Sequence, residues 1–399
     1  MLLSIVALIT LNFMIFSSNG VVVNFWTESV ISECKDEYFA VQSDENKYVQ
    51  YVCTSTNHVC GGWADRLKGI LASYALSLIL DRKFLIKITQ PCHIESILEP
   101  NKVDWLSLKR FTSAASSPSK KLNAINFNMR YNYDLMKQFE TIDVLDYFEL
   151  LNERSLINVG ASIMFSDSFA KNPHLRQRLV ELGYANQSAF MIHRQLHKWY
   201  NELFRLTPLY QRKYDKLLRR AKPTNDTFLV CAQVRTGGST AGHKFDDKFM
   251  DSEQSTRFWH FINETFVQRE MMRNGSFRIF LTTDNPSVRD EAERAFGKQL
   301  IVYNQKSPAH FDKDYANLGA NCESIDSVII DFSMLQNCDA SVVSHSGFGL
   351  LGTWNRDQPS KNLFVFTQRD QRDLVRDYRK RDNLEFKQIT NLDSDLYFI

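Results

Sequence analysis

Short apolar runs alternate with helical stripes through the second half of the chain. The runs predict strands over residues 228–234, 277–282, 299–303, 340–344 and 362–367, and we expect the last of these to be the final strand. The stripes predict helices over 251–274, 288–296 and 325–336, the turn 345–349 opens a further helix to Trp354, and a charged helix over 368–381 closes the chain. Strands that alternate with helices in this way predict a parallel, doubly wound sheet.

The first half of the chain shows the same pattern less clearly. Leu67, Ile70 and Tyr74 fall on one helical stripe, and a strand is predicted directly after it, over 83–88. Further helices are predicted over 141–151, 186–205 and 209–220, with a strand over 157–160. Trp105 and Trp199 are expected to lie in the core.

The length and charge set broad limits on the fold and its partners. The 399 residues suggest about two domains, and the expected boundary lies near 206–226, where the basic helical stretch ends in a polar loop that carries a sequon. We therefore predict one domain over 21–220 and another over 221–399. The formal net charge of +2 gives no reason to expect nucleic acid or an acidic membrane as a partner.

The amino-terminal segment, residues 1–20, is apolar between Leu2 and Phe16. That run is shorter than the ~20 residues of a typical membrane span, and small residues, Ser18 and Gly20, follow it. We favour a cleaved signal peptide, with an uncleaved signal anchor as the alternative and the only expected membrane contact.

Four N-glycosylation sequons support a secretory route, either to the ER or Golgi lumen or to the outside. Their asparagines are Asn186, Asn225, Asn263 and Asn274.

Seven cysteines fit an oxidising compartment. Cys231 lies inside a predicted strand and is expected to be buried and unpaired. The other six, at positions 34, 53, 60, 92, 322 and 338, should pair, and fifteen connectivities stay open. A zinc site is a minor alternative because the chain has no Cys-x-x-Cys pair.

Polar residues follow three of the predicted parallel strands at the point where each ends. They are Arg235, Asp284 and the turn Ser344-His345-Ser346-Gly347. Ligands of open α/β sheets bind at this carboxyl edge, and an arginine there offers a fork of donors suited to phosphate. We expect the Arg235 side chain to lie in a cleft rather than in a core salt bridge.

A second anion-binding position is predicted where a glycine loop opens the first helix. Gly61 and Gly62 precede that helix, and Asp65 and Arg66 lie in its first turn. An ordinary capped helix with a charged first turn is the alternative.

The turn after residue 346 also reads as G-x-G-x-x-G, from Gly347 to Gly352. A dinucleotide fingerprint belongs to the first strand unit, whereas this one comes late, and the next strand does not end directly in an acid. Nicotinamide chemistry is therefore a minor alternative to a phosphate or nucleotide-sugar site.

Four short motifs in this order carry a resemblance to a known family. They are Gly61-Gly62-Trp63-Ala64-Asp65-Arg66, Gln233-Val234-Arg235, the helix over 330–339, and Ser344-His345-Ser346-Gly347-Phe348-Gly349. They resemble motifs of the GDP-fucose-dependent fucosyltransferases of GT-B fold, which include plant xyloglucan, core α1,6 and rhizobial Nod-factor enzymes. Ala64 replaces a glycine of that pattern, and Gln233 stands where a histidine is usual.

The resemblance implies an α/β fold of GT-B type, in which two Rossmann-like doubly wound domains face a cleft. The carboxyl-terminal domain, 221–399, would bind the nucleotide sugar, and the domain over 21–220 would lie on the acceptor side. The implied activity is inverting transfer of fucose from GDP-fucose to a hydroxyl of a glycan or glycoprotein, without a metal or other cofactor.

The resemblance also implies residue roles. Arg235 would be the catalytic residue, holding the diphosphate and offsetting charge as GDP departs. Asp331 would accept hydrogen bonds from the guanine edge, and Asp284 is a candidate for a further nucleotide contact. The phosphates would be held by the turn Ser344, His345, Ser346, Gly347 and Phe348. The residues facing the diphosphate across the cleft would be Gly62, Asp65 and Arg66.

Other readings stay open at the level of sequence. The two D-x-D strings, 312–314 and 393–395, do not follow apolar strands, which makes a metal-dependent GT-A enzyme the lesser alternative. Ala64 and Gln233 leave room for a secreted, non-catalytic carbohydrate- or nucleotide-binding relative. The loop after Arg235 supplies three candidates for the acceptor base, namely His243, Asp246 and Asp247.

Overall fold

A computed structural model describes residues 40–41, 47–54, 60–106, 120–121, 124–130, 132–149, 155–237, 250, 254–272, 275–303, 323–368 and 384–390. Several predictions lie outside these residues. They concern the segment 1–20, Cys34, Cys322, Asn274, the base candidates His243, Asp246 and Asp247, both D-x-D strings and the closing helix after residue 368.

The strands of the described residues are, in chain order, β1 (Ala40–Val41), β2 (Tyr48–Cys53), β3 (Lys83–Ile88), β4 (Leu98–Pro100), β5 (Lys120–Lys121), β6 (Ala124–Met129), β7 (Leu156–Ala161), β8 (Phe204–Leu206), β9 (Phe228–Val234), β10 (Phe277–Thr283), β11 (Leu300–Ile301), β12 (Ala340–Ser344), β13 (Leu363–Gln368) and β14 (Leu384–Ile389).

The α-helices are α1 (Trp63–Ile79), α2 (Tyr133–Gln138), α3 (Val144–Glu149), α4 (Ser166–Lys171), α5 (Arg176–Glu181), α6 (Ile192–Leu203), α7 (Pro208–Ala221), α8 (Ser255–Ile262), α9 (Gln268–Met272), α10 (Pro286–Phe296), α11 (Glu323–Leu335) and α12 (Gly347–Trp354). A π-helical turn, Asn263–Val267, joins α8 to α9.

The second half of the chain forms the parallel sheet that its sequence predicts. The strand order is β11-β10-β9-β12-β13-β14, and every pair except β13–β14 is parallel. The expectation that 362–367 is the final strand is wrong, because β14 pairs antiparallel with β13 at the sheet edge. Exposed Lys387 and Gln388 interrupt the apolar pattern of this edge strand, whose Phe386 packs 4.3 Å from the Phe261 ring.

The first half of the chain forms a smaller parallel sheet in the order β3-β2-β7-β6. Helix α1 packs closely on this sheet and is almost wholly buried. Gly69 makes the close approach possible, since an added Cβ there would lie 2.1 Å from the carbonyl oxygen of Ala161.

Aromatic contacts join elements of both halves. The Trp63 ring lies 6.4 Å from Phe204 and 6.2 Å from Phe332, and Trp105 and Trp199 are buried as predicted. All strands of the four-stranded sheet precede residue 162, and all strands of the six-stranded sheet follow residue 227. This separation along the chain is compatible with the predicted domain boundary, whose position at 220/221 stays a prediction.

The expectation that Cys231 is unpaired is wrong. Cys231 forms a disulfide with Cys338, because β9 and β12 are neighbours and Cys338 lies two residues before the start of β12. A second disulfide joins Cys53 to Cys60, and Cys92 is also disulfide-bonded. Among the described residues, no helix is long and apolar enough to cross a membrane.

Candidate functional site

The three polar points predicted at strand ends meet at one edge of the six-stranded sheet. Strands β9 and β10 are in register, with Val234 opposite Thr283, so the residues that follow them are neighbours. The Arg235 amide donates a hydrogen bond to Ser344 Oγ at 2.9 Å, and Arg235 Nη1 donates to Asp284 Oδ2 at 2.8 Å. The sequence prediction that these points gather is therefore right.

The expectation that Arg235 avoids a salt bridge is wrong. Its guanidinium pairs with Asp284, and the exposed fractions of the two side chains are 20% and 6%. The register of β9 and β10 brings the two residues together, because Arg235 and Asp284 follow the paired residues Val234 and Thr283 at the same sheet edge. The pair fixes the direction of the guanidinium while part of the arginine side chain stays open to solvent.

Asp284 organises the backbone that follows β9. Oδ1 accepts hydrogen bonds from the Thr236 amide and hydroxyl at 2.9 and 3.2 Å, and Oδ2 accepts from the Gly237 amide at 2.8 Å as well as from Arg235. Both carboxylate oxygens therefore already have donors within the chain, which is the arrangement of a positioning residue. A direct nucleotide contact by Asp284 stays a prediction.

The turn after β12 is held by an unexpected partner, Gln233. Ser346 is the N-cap of α12, since its Oγ accepts a hydrogen bond from the Gly349 amide at 3.3 Å. The same hydroxyl donates to Gln233 Oε1 at 3.0 Å. Gly349 leaves the space for this contact, because an added Cβ would lie 2.2 Å from Gln233 Oε1. Gln233 thus connects β9 to the start of α12.

The other residues of the turn are placed at the same edge. His345 Nδ1 lies 3.1 Å from the Thr367 hydroxyl, and its amide donates to the Phe366 carbonyl at 3.3 Å. Gly347 and Phe348 form the first helical positions of α12, and the first amides of a helix have no acceptor within it. This helix start is a suitable position for an anion.

Asp331 lies on α11, and its Oδ1 is buried without a hydrogen-bond partner among the described residues, although the residue as a whole is partly exposed. The pKa of its carboxyl group is raised to about 7, chiefly by burial and in part by the negative charge of neighbouring Asp326. A hydrogen bond from the Thr282 side chain and the positive charge of Arg289 act in the opposite direction. Asp331 is therefore an acceptor with unused capacity.

We expected Arg66, at the start of α1, to face a cleft, but the structure shows it buried. Its side chain is 1% exposed, and the guanidinium donates to the carbonyls of Gly61 at 2.9 Å and of Gln90. Asp65 pairs with Lys68 at 2.8 Å, while Gly62 is the N-cap position of α1. Arg66 thus fixes the glycine loop, in which Gly61 has a φ of +78°. Contacts of Gly62 and Asp65 with a diphosphate stay predictions.

The sequence did not identify Thr236, Thr282 or Arg289, nor the contact of Gln233 with Ser346. Gln233 and Thr282 lie inside apolar strands, so only the sheet register could have shown what their side chains contact. No group of His, Cys, Asp and Glu side chains that could hold a metal ion occurs in the part of the chain that the structure describes.

Comparison with solved structures shows that the chain has a known fold. An arginine-to-lysine mutant of Arabidopsis thaliana FUT1, solved in complex with GDP, is similar over 84% of this chain and 73% of its own, with 13% sequence identity and a TM-score of 0.54. The chain has the fold of the GT-B fucosyltransferases. The predicted α/β fold class is therefore confirmed.

Two further likenesses are weaker. Fucosyltransferase NodZ from Bradyrhizobium is 13% identical, with 86% of this chain and 99% of that chain covered and a TM-score of 0.43. POFUT1 in complex with GDP is 12% identical, with 80% and 96% covered and a TM-score of 0.44. No protein-family model and no curated protein match the sequence.

The state of Asp331 generates a prediction about pH and stability. Because the folded-state pKa is raised from 3.8 to about 7, the folded protein binds this proton more tightly than the unfolded chain. The stability that this group contributes is fully present below pH 3.8 and is lost as the pH rises through 7. Asp331→Asn mimics the neutral acid and should unfold like the wild type near pH 4, yet be more stable at pH 8 by up to about 4 kcal/mol.

Urea unfolding of both proteins at several pH values checks this. Asp134 is exposed and provides a control, since a surface substitution such as Asp134→Asn should change the stability at pH 8 by no more than about 0.5 kcal/mol. If Asp331→Asn were less stable than the wild type at pH 8, the prediction of a raised pKa for this carboxyl group would be contradicted.

Proposed function

We propose that this protein is an inverting glycosyltransferase that moves fucose from GDP-fucose to a hydroxyl of a glycan or glycoprotein. The observation that carries the proposal is the sheet edge where Arg235, held by Asp284, lies beside the start of α12. It occurs in a fold whose plant representative was solved with GDP. A cation next to a helix start is well suited to a diphosphate.

The proposed role of this sheet edge is to stabilise the negative charge that develops on the departing GDP. In an inverting transfer, the acceptor oxygen attacks the anomeric carbon of fucose as the bond from that carbon to the β-phosphate oxygen breaks. Negative charge then grows on the β-phosphate of the departing GDP. The Arg235 guanidinium, pre-oriented by Asp284, would offset that charge, and the amides of Gly347 and Phe348 would hold the phosphate oxygens.

Asp331 supports a guanine base in particular. Its buried Oδ1 has no partner among the described residues, and the Watson–Crick edge of guanine carries N–H donors that a carboxylate accepts. A base that offers only acceptors at that position would leave Asp331 unsatisfied. The acceptor proton still needs a base, for which His243, Asp246 and Asp247 stay candidates.

A route through the ER and Golgi lumen, or secretion, belongs to the same proposal. The asparagines of the three described sequons, Asn186, Asn225 and Asn263, are all exposed. The disulfides Cys53–Cys60 and Cys231–Cys338 suit an oxidising compartment. Both observations support the proposal independently of the signal-peptide pattern.

Substitution of Arg235 tests the proposal. Arg235→Lys can keep the ion pair with Asp284 but loses the planar fork of donors. We expect normal secretion and an unchanged melting temperature, with transfer from GDP-fucose slowed by about 100-fold, the scale of losing one transition-state donor. Arg235→Ala should be slower still. Initial rates and thermal melting measure the two effects.

Arg205 provides the matched control, because it forms a 2.8 Å ion pair with Glu99 on the surface. Arg205→Lys should transfer fucose at the wild-type rate. Normal transfer by both Arg235 variants would refute the assignment of Arg235, and failure of both to fold would make the residue structural only.

The proposal includes catalysis without a metal, because Arg235 can supply the charge that a cation supplies in GT-A enzymes. Transfer should persist in EDTA at more than about half the untreated rate, since chelation would remove nothing the reaction uses. A metal-dependent glycosyltransferase assayed in the same EDTA buffer is the control, and its loss of activity shows that chelation is complete. Loss of transfer in EDTA with recovery on adding Mn²⁺ would favour the GT-A reading.

A further inference from the structure

A cavity of about 330 Å³ lies away from the sheet edge described above, between helix α6 and the segment that follows α12. The residues lining it on the α6 side are His193, Arg194, His197 and Lys198. The opposite side is formed by Trp354 at the end of α12, by Arg356, Asp357, Pro359 and Ser360 after it, and by Thr390 after β14. Helix α12 separates Trp354 from Ser346, and at 1.5 Å per residue this amounts to roughly 12 Å.

The cavity is strongly basic. Arg194 and Lys198 are exposed and lie four residues apart, so they project from one face of α6 next to His193 and His197. Like charges at this spacing repel each other. Among the described residues of the lining, one carboxylate, Asp357, faces the three permanent cations Arg194, Lys198 and Arg356.

Arg356 brings a buried positive charge to the cavity wall. It is 4% exposed, and its guanidinium donates to the backbone carbonyls of Thr353, Cys338 and Pro359 at 3.1, 3.4 and 2.6 Å. Each of these acceptors is a neutral carbonyl. Burial lowers the pKa of Arg356 to about 10, which still leaves the group charged at neutral pH.

Trp354 adds an unused donor. The residue is 4% exposed, and its indole Nε1 is buried without a hydrogen-bond partner among the described residues. Its ring packs against His193, with ring centroids 5.9 Å apart. His197 Nδ1 meanwhile lies 2.6 Å from the carbonyl oxygen of Asn355, which ties α6 to the end of α12. The cavity wall is thus held in place from both sides.

We propose that this cavity is a second ligand site, which binds a small saccharide carrying a sulfate or phosphate ester. A tetrahedral oxyanion matches the excess of arginine and lysine, and a sugar oxygen matches the indole donor. The volume lies at the lower end of small-molecule pockets and has room for about one sugar ring. The site is distinct from the proposed donor edge and does not depend on it.

Calorimetric titration of the purified protein tests the site with glucose 6-sulfate, glucose 6-phosphate and unmodified glucose. We expect at least one ester to bind with a dissociation constant of about 1 mM or below at low ionic strength, and glucose not to bind. The ester with the lower dissociation constant shows whether the site prefers a sulfate or a phosphate group. The double variant Arg194→Ala/Lys198→Ala should weaken ester binding by about tenfold or more and leave GDP affinity unchanged.

The matched control is Arg212→Ala/Lys216→Ala, which removes an exposed basic pair of the same spacing from α7. It should bind the ester like the wild type. The proposal is overturned if neither ester binds below about 10 mM, if glucose binds as tightly, or if both double variants lose binding equally.

Discussion

The ion pair of Arg235 and Asp284 is the interaction on which the candidate site depends. It follows from the parallel register of β9 and β10, which brings the residues after both strands to one point. Asp284 then binds the amides of Thr236 and Gly237, so one buried carboxylate sets both the direction of the arginine and the course of the backbone behind it. A buried charge of this kind is stable only because every lone pair that it directs into the protein has a donor.

Sequence alone predicted much of the fold, because the pattern that defines parallel strands is local. The runs at β9, β10 and β12 are apolar on both faces, and each ends in a polar turn. The edge strand β14 escaped prediction because the exposed residues Lys387 and Gln388 interrupt its apolar pattern. Cys231 was misjudged for a related reason, since its partner Cys338 becomes a neighbour only through the order of the strands.

The same distinction applies to the candidate site, where the sequence identified residues but not the contacts between distant parts of the chain. Arg235, Asp284 and Ser346 were found at strand ends, but their contacts were not, because hydrogen bonds between strands depend on register. Gln233 read as a departure from the fucosyltransferase pattern, yet it holds the N-cap Ser346 of α12 and so has a defined structural role. Arg66 read as a ligand contact, whereas burial shows that it supports the glycine loop.

Thermal melting of the purified protein with GDP, UDP, CMP or NAD is the most direct test of whether this sheet edge binds a GDP-sugar. A ligand that binds the folded state alone raises the melting temperature, and at a given concentration a tighter ligand raises it more. We expect GDP to raise the melting temperature of the wild type, with little effect from the other three, and Asp331→Asn to lose most of this preference. Stabilisation by UDP and not by GDP, or by no nucleotide at all, would contradict the proposal that this sheet edge binds a GDP-sugar.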